Sequence, residues 1–315
     1  MASIKELAQR PQRIAPGHRA CAGCIPILAF QHVMRSVAPE DGVVVGCATG
    51  CMEVVTTIYP YTAWRVPFIH NAFENSAATV SGVEAAYRAL KRAGKIPEDK
   101  RIKFIAFGGD GGTYDIGLQA LSGAAERGHR MLYVCYDNEA YMNTGIQRSG
   151  ATPYGAETST CPVGDVIPGK TQYPKDMTRI MAAHRIPYVA QASPSHWSDL
   201  ITKVEKALSK NGPSFINIIS PCHRGWRYPM EKTIEMARLA VETCFWPLYE
   251  VDEGKWRITY TPKEKLPLEE FTMPQGRFAH FKRYPQLGEL AQQEVDRRWR
   301  ELQALASITD QGETE

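Results

Sequence analysis

Ile102-Lys103-Phe104-Ile105-Ala106-Phe107-Gly108-Gly109-Asp110-Gly111 decides the fold, because a strand-like run leads straight into an aspartate flanked by glycines. Met131 to Tyr136 repeats the arrangement, a short apolar strand followed by Asp137-Asn138. Asp115 to Glu126, between them, reads as a helix, so the two strands are joined by a crossover and run parallel. Outward from this pair the rhythm continues. Val43 to Val45 reads as a strand ending at Gly46, and Ser76 to Arg92 as an alanine-rich helix. Lys175 to His184 reads as a helix, Tyr188 to Ala190 as a strand, Ser195 to Ser209 as a helix capped by Ser195, and Phe215 to Ile219 as a strand. Strands alternating with long helices predict an α/β fold on a doubly wound, mostly parallel sheet. Ala140 to Gln172 breaks the alternation; rich in glycine and proline, it reads as a long functional loop.

The chain has 315 residues, 43% of them apolar and 23% charged, a balance that excludes disorder. No apolar run reaches the about 18 residues of a membrane span. Met1 to Arg13 is polar and lacks the apolar segment of a secretory signal. A net charge of +3 without a basic stripe gives no reason to expect a nucleic-acid partner. The expected location is the cytoplasm. Residues 1–250 are expected to form the main domain and 251–315 a C-terminal extension that packs on the core or on partner subunits. That extension holds a short strand (Trp256 to Tyr260) and an amphipathic helix (Leu287 to Ala306).

Asp110 and Asn138, 28 positions apart, both follow strands, and open α/β sheets place their ligands at carboxyl strand ends. A carboxylate, an amide oxygen and a nearby backbone carbonyl suit octahedral Mg²⁺, with substrate phosphates completing the shell. Gly109 and Gly111 let the backbone approach a diphosphate closely. A glycine-aspartate-glycine stretch is also a common turn. The strand context, the spacing and the second strand-end amide favour a thiamine-diphosphate site over that simpler reading.

Eight cysteines in a chain expected in a reducing compartment favour metal or cluster ligation over disulfides. Cys21 and Cys24 share one tight loop; Cys51 follows the first strand, and Cys222 the last core strand. At the carboxyl edge these four can hold Zn²⁺ or a [4Fe–4S] cluster, and the single close pair favours the cluster. Cys47, four residues before Cys51, is its rival in that loop, while Cys135 lies within a strand and reads as a core thiol.

Several segments together resemble the β subunit of pyruvate:ferredoxin oxidoreductase. They are Gly17-His18-Arg19-Ala20-Cys21-Ala22-Gly23-Cys24, Ala48-Thr49-Gly50-Cys51, Pro60-Tyr61-Thr62-Ala63-Trp64, Gly109-Asp110-Gly111, Asp137-Asn138-Glu139-Ala140-Tyr141-Met142-Asn143-Thr144-Gly145, Ala151-Thr152-Pro153 and Trp246-Pro247-Leu248-Tyr249. The resemblance implies the thiamine-diphosphate-binding fold, with this chain supplying the diphosphate module. It implies Mg²⁺ on Asp110, Asn138 and the main-chain carbonyl of Ala140, and a proximal [4Fe–4S] cluster on Cys21, Cys24, Cys51 and Cys222. Asn143 would lie near the reacting carbon, and Cys51 beside the cofactor. The implied reaction is oxidative decarboxylation of a 2-oxoacid, with the cofactor as electron sink and ferredoxin as external acceptor. The implied partners are a pyrimidine-module subunit and a ferredoxin-like subunit or domain carrying two further clusters.

Two stretches depart from the family pattern. Ile25-Pro26 follows Cys24 where glycine and glutamate are usual, and Ile146-Gln147-Arg148 stands where pyruvate enzymes commonly have a second glycine and small residues. Pyruvate is the default substrate. Arg148 facing the pocket would instead suit a second carboxylate, as in oxalate. Two other readings are a non-catalytic module stapled by a four-cysteine zinc site, and a thiamine-diphosphate decarboxylase without a redox centre.

Overall fold

The structure, a computed structural model, describes residues 4–311. Its strands are β1 (Gly42–Ala48), β2 (Phe68–Asn71), β3 (Ile102–Gly109), β4 (Leu132–Asp137), β5 (Tyr188–Ala192), β6 (Ser214–Ile219), β7 (Leu248–Asp252) and β8 (Lys255–Tyr260). They form one sheet in the order β2-β1-β3-β4-β6-β5-β7-β8. The first six are parallel, and the β7–β8 hairpin joins antiparallel at the β5 edge. This is the expected mostly parallel α/β sheet. Side chains alternate between two buried faces, as the two-residue period of a strand requires. Ile105 and Phe107 of β3 pack with helices Ile25–Ser36 and Trp197–Ser209, while Phe104 and Ala106 pack with Ser76–Arg92 and Leu118–Glu126 on the other side.

Several expected boundaries shift for local reasons. The helix expected from Asp115 begins at Leu118, because Gly111–Ile116 forms a wider π-helical turn closed by Gly117 N–H donating to Gly112 O at 2.8 Å. Ser193, not Ser195, caps the next helical segment, its hydroxyl accepting from Ser195 N–H at 3.3 Å. Residue 250 falls inside β7, and β8 continues the same sheet across it. Helix Pro285–Gln311 returns over β8, where Thr309 Oγ1 accepts from Trp256 N–H and donates to Trp256 O.

Candidate functional site

β1, β3, β4 and β6 are consecutive neighbours in the sheet, and the chain leaves their carboxyl ends at Cys51, Asp110, Asn138 and Cys222 respectively. Parallel pairing alone therefore delivers four of the expected site residues to one edge. A cleft there is lined by Cys51, Gly109, Asp110, Gly111, Asn138, Ala140 and Asn143, together with Thr49 and Tyr141. Asn143 lies on an exposed part of its rim.

Asp110 is fully buried. Its Oδ1 accepts from Asn138 N–H at 3.2 Å, and its Oδ2 from Ser149 Oγ at 2.5 Å. Burial, with Asp137 nearby, pushes its carboxyl well above the usual range. The Asn138 side-chain NH₂ donates to Asp110 Oδ1 at 3.0 Å and to the Ala140 carbonyl oxygen at 2.8 Å. The Asp110 carboxyl, the Asn138 amide and the Ala140 carbonyl thus converge on one point, and turning the amide over would present its oxygen to a cation there. An octahedral cation with oxygens at about 2.1 Å places adjacent ligands about 3 Å apart. The donor set therefore fits Mg²⁺. The bare faces of the glycines meet aromatic rings: a side chain on Gly111 would strike Tyr141, and one on Gly109 would press on Tyr136.

The cysteines sit beside this cleft. Cys24 caps helix Ile25–Ser36, Cys51 opens helix Cys51–Thr56, and Cys222 caps the short turn His223–Trp226. Ile27 N–H faces the Cys24 sulfur, and the N–H groups of Gly225 and Arg224 face that of Cys222. Cys21 is exposed and the other three half-buried. Burial pushes the thiols of Cys24 and Cys51 up to about 12, and each of the two is raised further by Cys21 and Cys222. Holding these sulfurs side by side as thiolates would require compensating positive charge. Among the described residues, no three His, Cys, Asp or Glu side chains gather closely enough for a single metal ion. Cys47 points away into the core, its Sγ 3.6 Å from Ala48 O, and Cys135 and Cys244 are buried too. His18 braces its own loop, Nδ1 accepting from Ala20 N–H at 3.4 Å.

A family profile described as "Thiamine pyrophosphate enzyme, C-terminal TPP binding domain" matches residues 44–218. The chain is 56% identical to "Pyruvate synthase subunit PorB" of Thermotoga maritima over 98% of this chain and 97% of that one. It is 44% identical to "Ketoisovalerate oxidoreductase subunit VorB" of Pyrococcus abyssi over 93% of each chain. The chain belongs to the β-subunit family of the 2-oxoacid:ferredoxin oxidoreductases. Its fold is also that of a chain of the 2-oxoglutarate:ferredoxin oxidoreductase from Magnetococcus marinus, with a TM-score of 0.52 at 21% identity over 73% of this chain and 78% of that one.

This β subunit also uses residues that sequence reasoning missed. Ser149 and Thr152, from the long loop, reach Asp110 and the Glu139 carbonyl, the latter at 2.6 Å. Glu139, between Asn138 and Ala140, is buried at a φ of 65° and paired with the buried Arg277, Nη2 to Oε2 2.6 Å. Burial pushes the Glu139 carboxyl up, and Arg277 pulls it back. Trp226 Nε1 donates to Asn138 O at 2.9 Å. The composition of the loop signalled Ser149, and the segments that resemble the family include Glu139 and Thr152 without giving them a role. Arg148 is exposed, is absent from the cleft lining, and gives its backbone N–H to Thr160 Oγ1 at 2.9 Å. Among the described residues, no helix is long and apolar enough to cross a membrane.

Proposed function

We propose that this chain is the thiamine-diphosphate-binding subunit of a cytoplasmic enzyme that oxidatively decarboxylates a 2-oxoacid, pyruvate first, and passes electrons to ferredoxin. The observation that carries this reading is the convergence of the Asp110 carboxyl, the Asn138 side-chain amide and the Ala140 carbonyl in a cleft that Cys51 also lines. In this reading Asp110, Asn138 and the Ala140 carbonyl hold Mg²⁺, and Cys21, Cys24, Cys51 and Cys222 hold a [4Fe–4S] cluster. Bound there, thiamine diphosphate supplies an electron sink for decarboxylation, and the cluster a one-electron acceptor.

The chain's own residues then have distinct tasks. Asp110 offsets the cation's charge in a buried site, and Ser149 fixes its carboxylate. Asn143, on the rim, offers a neutral amide to the substrate side of the cleft. Backbone N–H groups at Cys24 and Cys222 favour the thiolate form that a cluster requires. Three further cysteines, Cys47, Cys135 and Cys244, are buried in the fold, so later clusters on the electron path need another chain. We assign those to a ferredoxin-like partner, and the pyrimidine-binding half of the cofactor site to a second partner subunit.

The presence of one close cysteine pair, Cys21 and Cys24, rather than two argues against a zinc staple, whose ligands usually come as two close pairs. Oxidoreductases among the relatives argue against a decarboxylase without a redox centre. Anaerobic co-purification with partner chains tests the proposal: the complex should be brown and should reduce a viologen dye when pyruvate is added. A colourless complex that releases zinc, or one that decarboxylates pyruvate without reducing the dye, would overturn it.

A further inference from the structure

The C-terminal segment sends one side chain beneath the metal-binding loop. Arg277 follows Gln275-Gly276, and its side chain is buried. Three neighbours fix it. Nη2 donates to Glu139 Oε2 at 2.6 Å, Nε donates to Gln275 Oε1 at 2.8 Å, and the planar group lies 3.9 Å over the Trp226 ring. Two of these contacts, those with Glu139 and Trp226, lead to the site by different routes. Glu139 stands between Asn138 and Ala140, and Trp226 donates its indole N–H to Asn138 O. Trp226 also ends the four-residue turn that starts after Cys222.

The loop needs such support. Glu139 holds a left-handed φ of 65°, a conformation that a non-glycine residue adopts only at an energetic cost. Its backbone is tied at both ends, N–H to Asp137 Oδ1 at 3.0 Å and C=O to Thr152 Oγ1 at 2.6 Å. The left-handed residue turns the chain sharply, so that the Asn138 side chain and the Ala140 carbonyl face the same point. A charged side chain at that turn, buried beside Asp137, stays only if a cation meets it.

From these contacts we infer that Arg277 is a positioning residue for the cation site: through Glu139 and Trp226 it holds the Asn138–Ala140 loop in the shape that gathers the oxygen ligands. Cys222 shares the Trp226 turn, so the same clamp ties the cysteine loop to the metal loop. The inference rests on the cofactor reading above.

The test uses the complex with its partner subunits and measures binding rather than turnover. At saturating thiamine diphosphate, calorimetry gives the Mg²⁺ concentration for half-maximal cofactor uptake. Arg277→Met leaves Glu139 unpaired and should raise that concentration about tenfold or more, the usual scale for groups that orient metal ligands. Arg277→Lys restores a cation and should recover part of the loss. Glu139→Gln keeps the side chain's length and its bond to Arg277 but loses the charge, and should raise the requirement several-fold. If Arg277→Met does not assemble, Glu139→Gln decides. A role confined to stability would lower the unfolding temperature and leave the Mg²⁺ requirement unchanged; that outcome, in either variant, overturns the inference. A wild-type complex that takes up no Mg²⁺ and thiamine diphosphate would overturn the cofactor reading and this inference with it, whereas wild-type uptake matched by Arg277→Met would overturn the inference alone.

Discussion

Ser149 donates its hydroxyl to Asp110 Oδ2 at 2.5 Å across 39 positions of sequence. This bond occupies one carboxylate oxygen and leaves Oδ1 turned toward Asn138. The long loop is therefore a structural part of the proposed cation site rather than a cover over it. Ser149→Ala should leave the fold intact, because the side chain is small and Thr152 still accepts from the residue's backbone N–H. It should weaken Mg²⁺-dependent uptake of thiamine diphosphate by about tenfold, as loss of a group that orients a ligand does. Calorimetric titration of the purified complex measures this directly, and unchanged affinity would remove Ser149 from the site.

Asp110→Ala goes further, because it deletes the only charged oxygen in the set. The variant should lose both thiamine diphosphate and Mg²⁺ while iron stays near the wild-type content, since the cysteine loops do not depend on this carboxylate. Metal analysis and cofactor extraction on one sample check both halves. Retained cofactor would refute the Mg²⁺ assignment.

The strand-end positions of Asp110 and Asn138 were legible because β3 and β4 are apolar on both faces, and buried parallel strands read as continuous hydrophobic runs. β7 was not, because Glu250 interrupts its apolar pattern. That glutamate is nevertheless buried, paired with Lys206 at 2.7 Å, Tyr188 Oη at 2.5 Å and Arg257. Helix Ile25–Ser36 escaped notice as well. Pro26 sits in its first turn, where a missing N–H costs nothing, so the proline starts the helix rather than breaking it. The pairing of Glu139 with Arg277 spans 138 positions and leaves no local trace in either segment. Spacing exposed what adjacent strands bring together, and it was silent on what a distant segment inserts from below.

Cysteine substitutions separate ligands from core thiols. Cys51→Ser and Cys222→Ser should bleach the absorbance of the complex near about 400 nm, the thiolate-to-iron region. Cys47→Ser and Cys135→Ser should leave the colour unchanged, because both sulfurs are buried within strands and face the helix layers. Bleaching by Cys47→Ser alone would reverse the choice between the two cysteines of that loop.

Acid should loosen the helix that Cys24 caps. His32 lies within it, its Nδ1 buried without a partner among the described residues. Burial, then the Arg35 guanidinium, lowers its pKa from 6.5 to about 4. Between those values the unfolded chain binds the proton and the folded chain does not, so stability is full above pH 6.5 and lost as pH falls toward 4. By linkage the loss from this one group is about 2 kcal/mol at pH 5. His32→Gln should remove that slope. Thermal unfolding of wild type and variant at pH 7 and pH 5 compares them, and parallel losses in the two proteins would clear His32 of the effect.

Arg148 provides a test of substrate choice. A second substrate carboxylate in the cleft needs a cationic partner to offset its desolvation, whereas the methyl group of pyruvate needs only a small apolar space. Arg148 is exposed and outside the cleft lining, and its backbone is fixed to Thr160 rather than to Asp110, Asn138 or Ala140. Arg148→Ala should therefore change kcat/KM for pyruvate by less than about threefold, the scale of a surface charge. An arginine that met a buried substrate carboxylate would instead cost roughly 2–4 kcal/mol when truncated, a loss of thirtyfold or more. Measuring kcat/KM for pyruvate and oxalate in both complexes distinguishes these cases. A large loss confined to oxalate would reassign the substrate to a dicarboxylate and bring Arg148 into the cleft; small, equal changes leave pyruvate as the acid that this site is shaped to take.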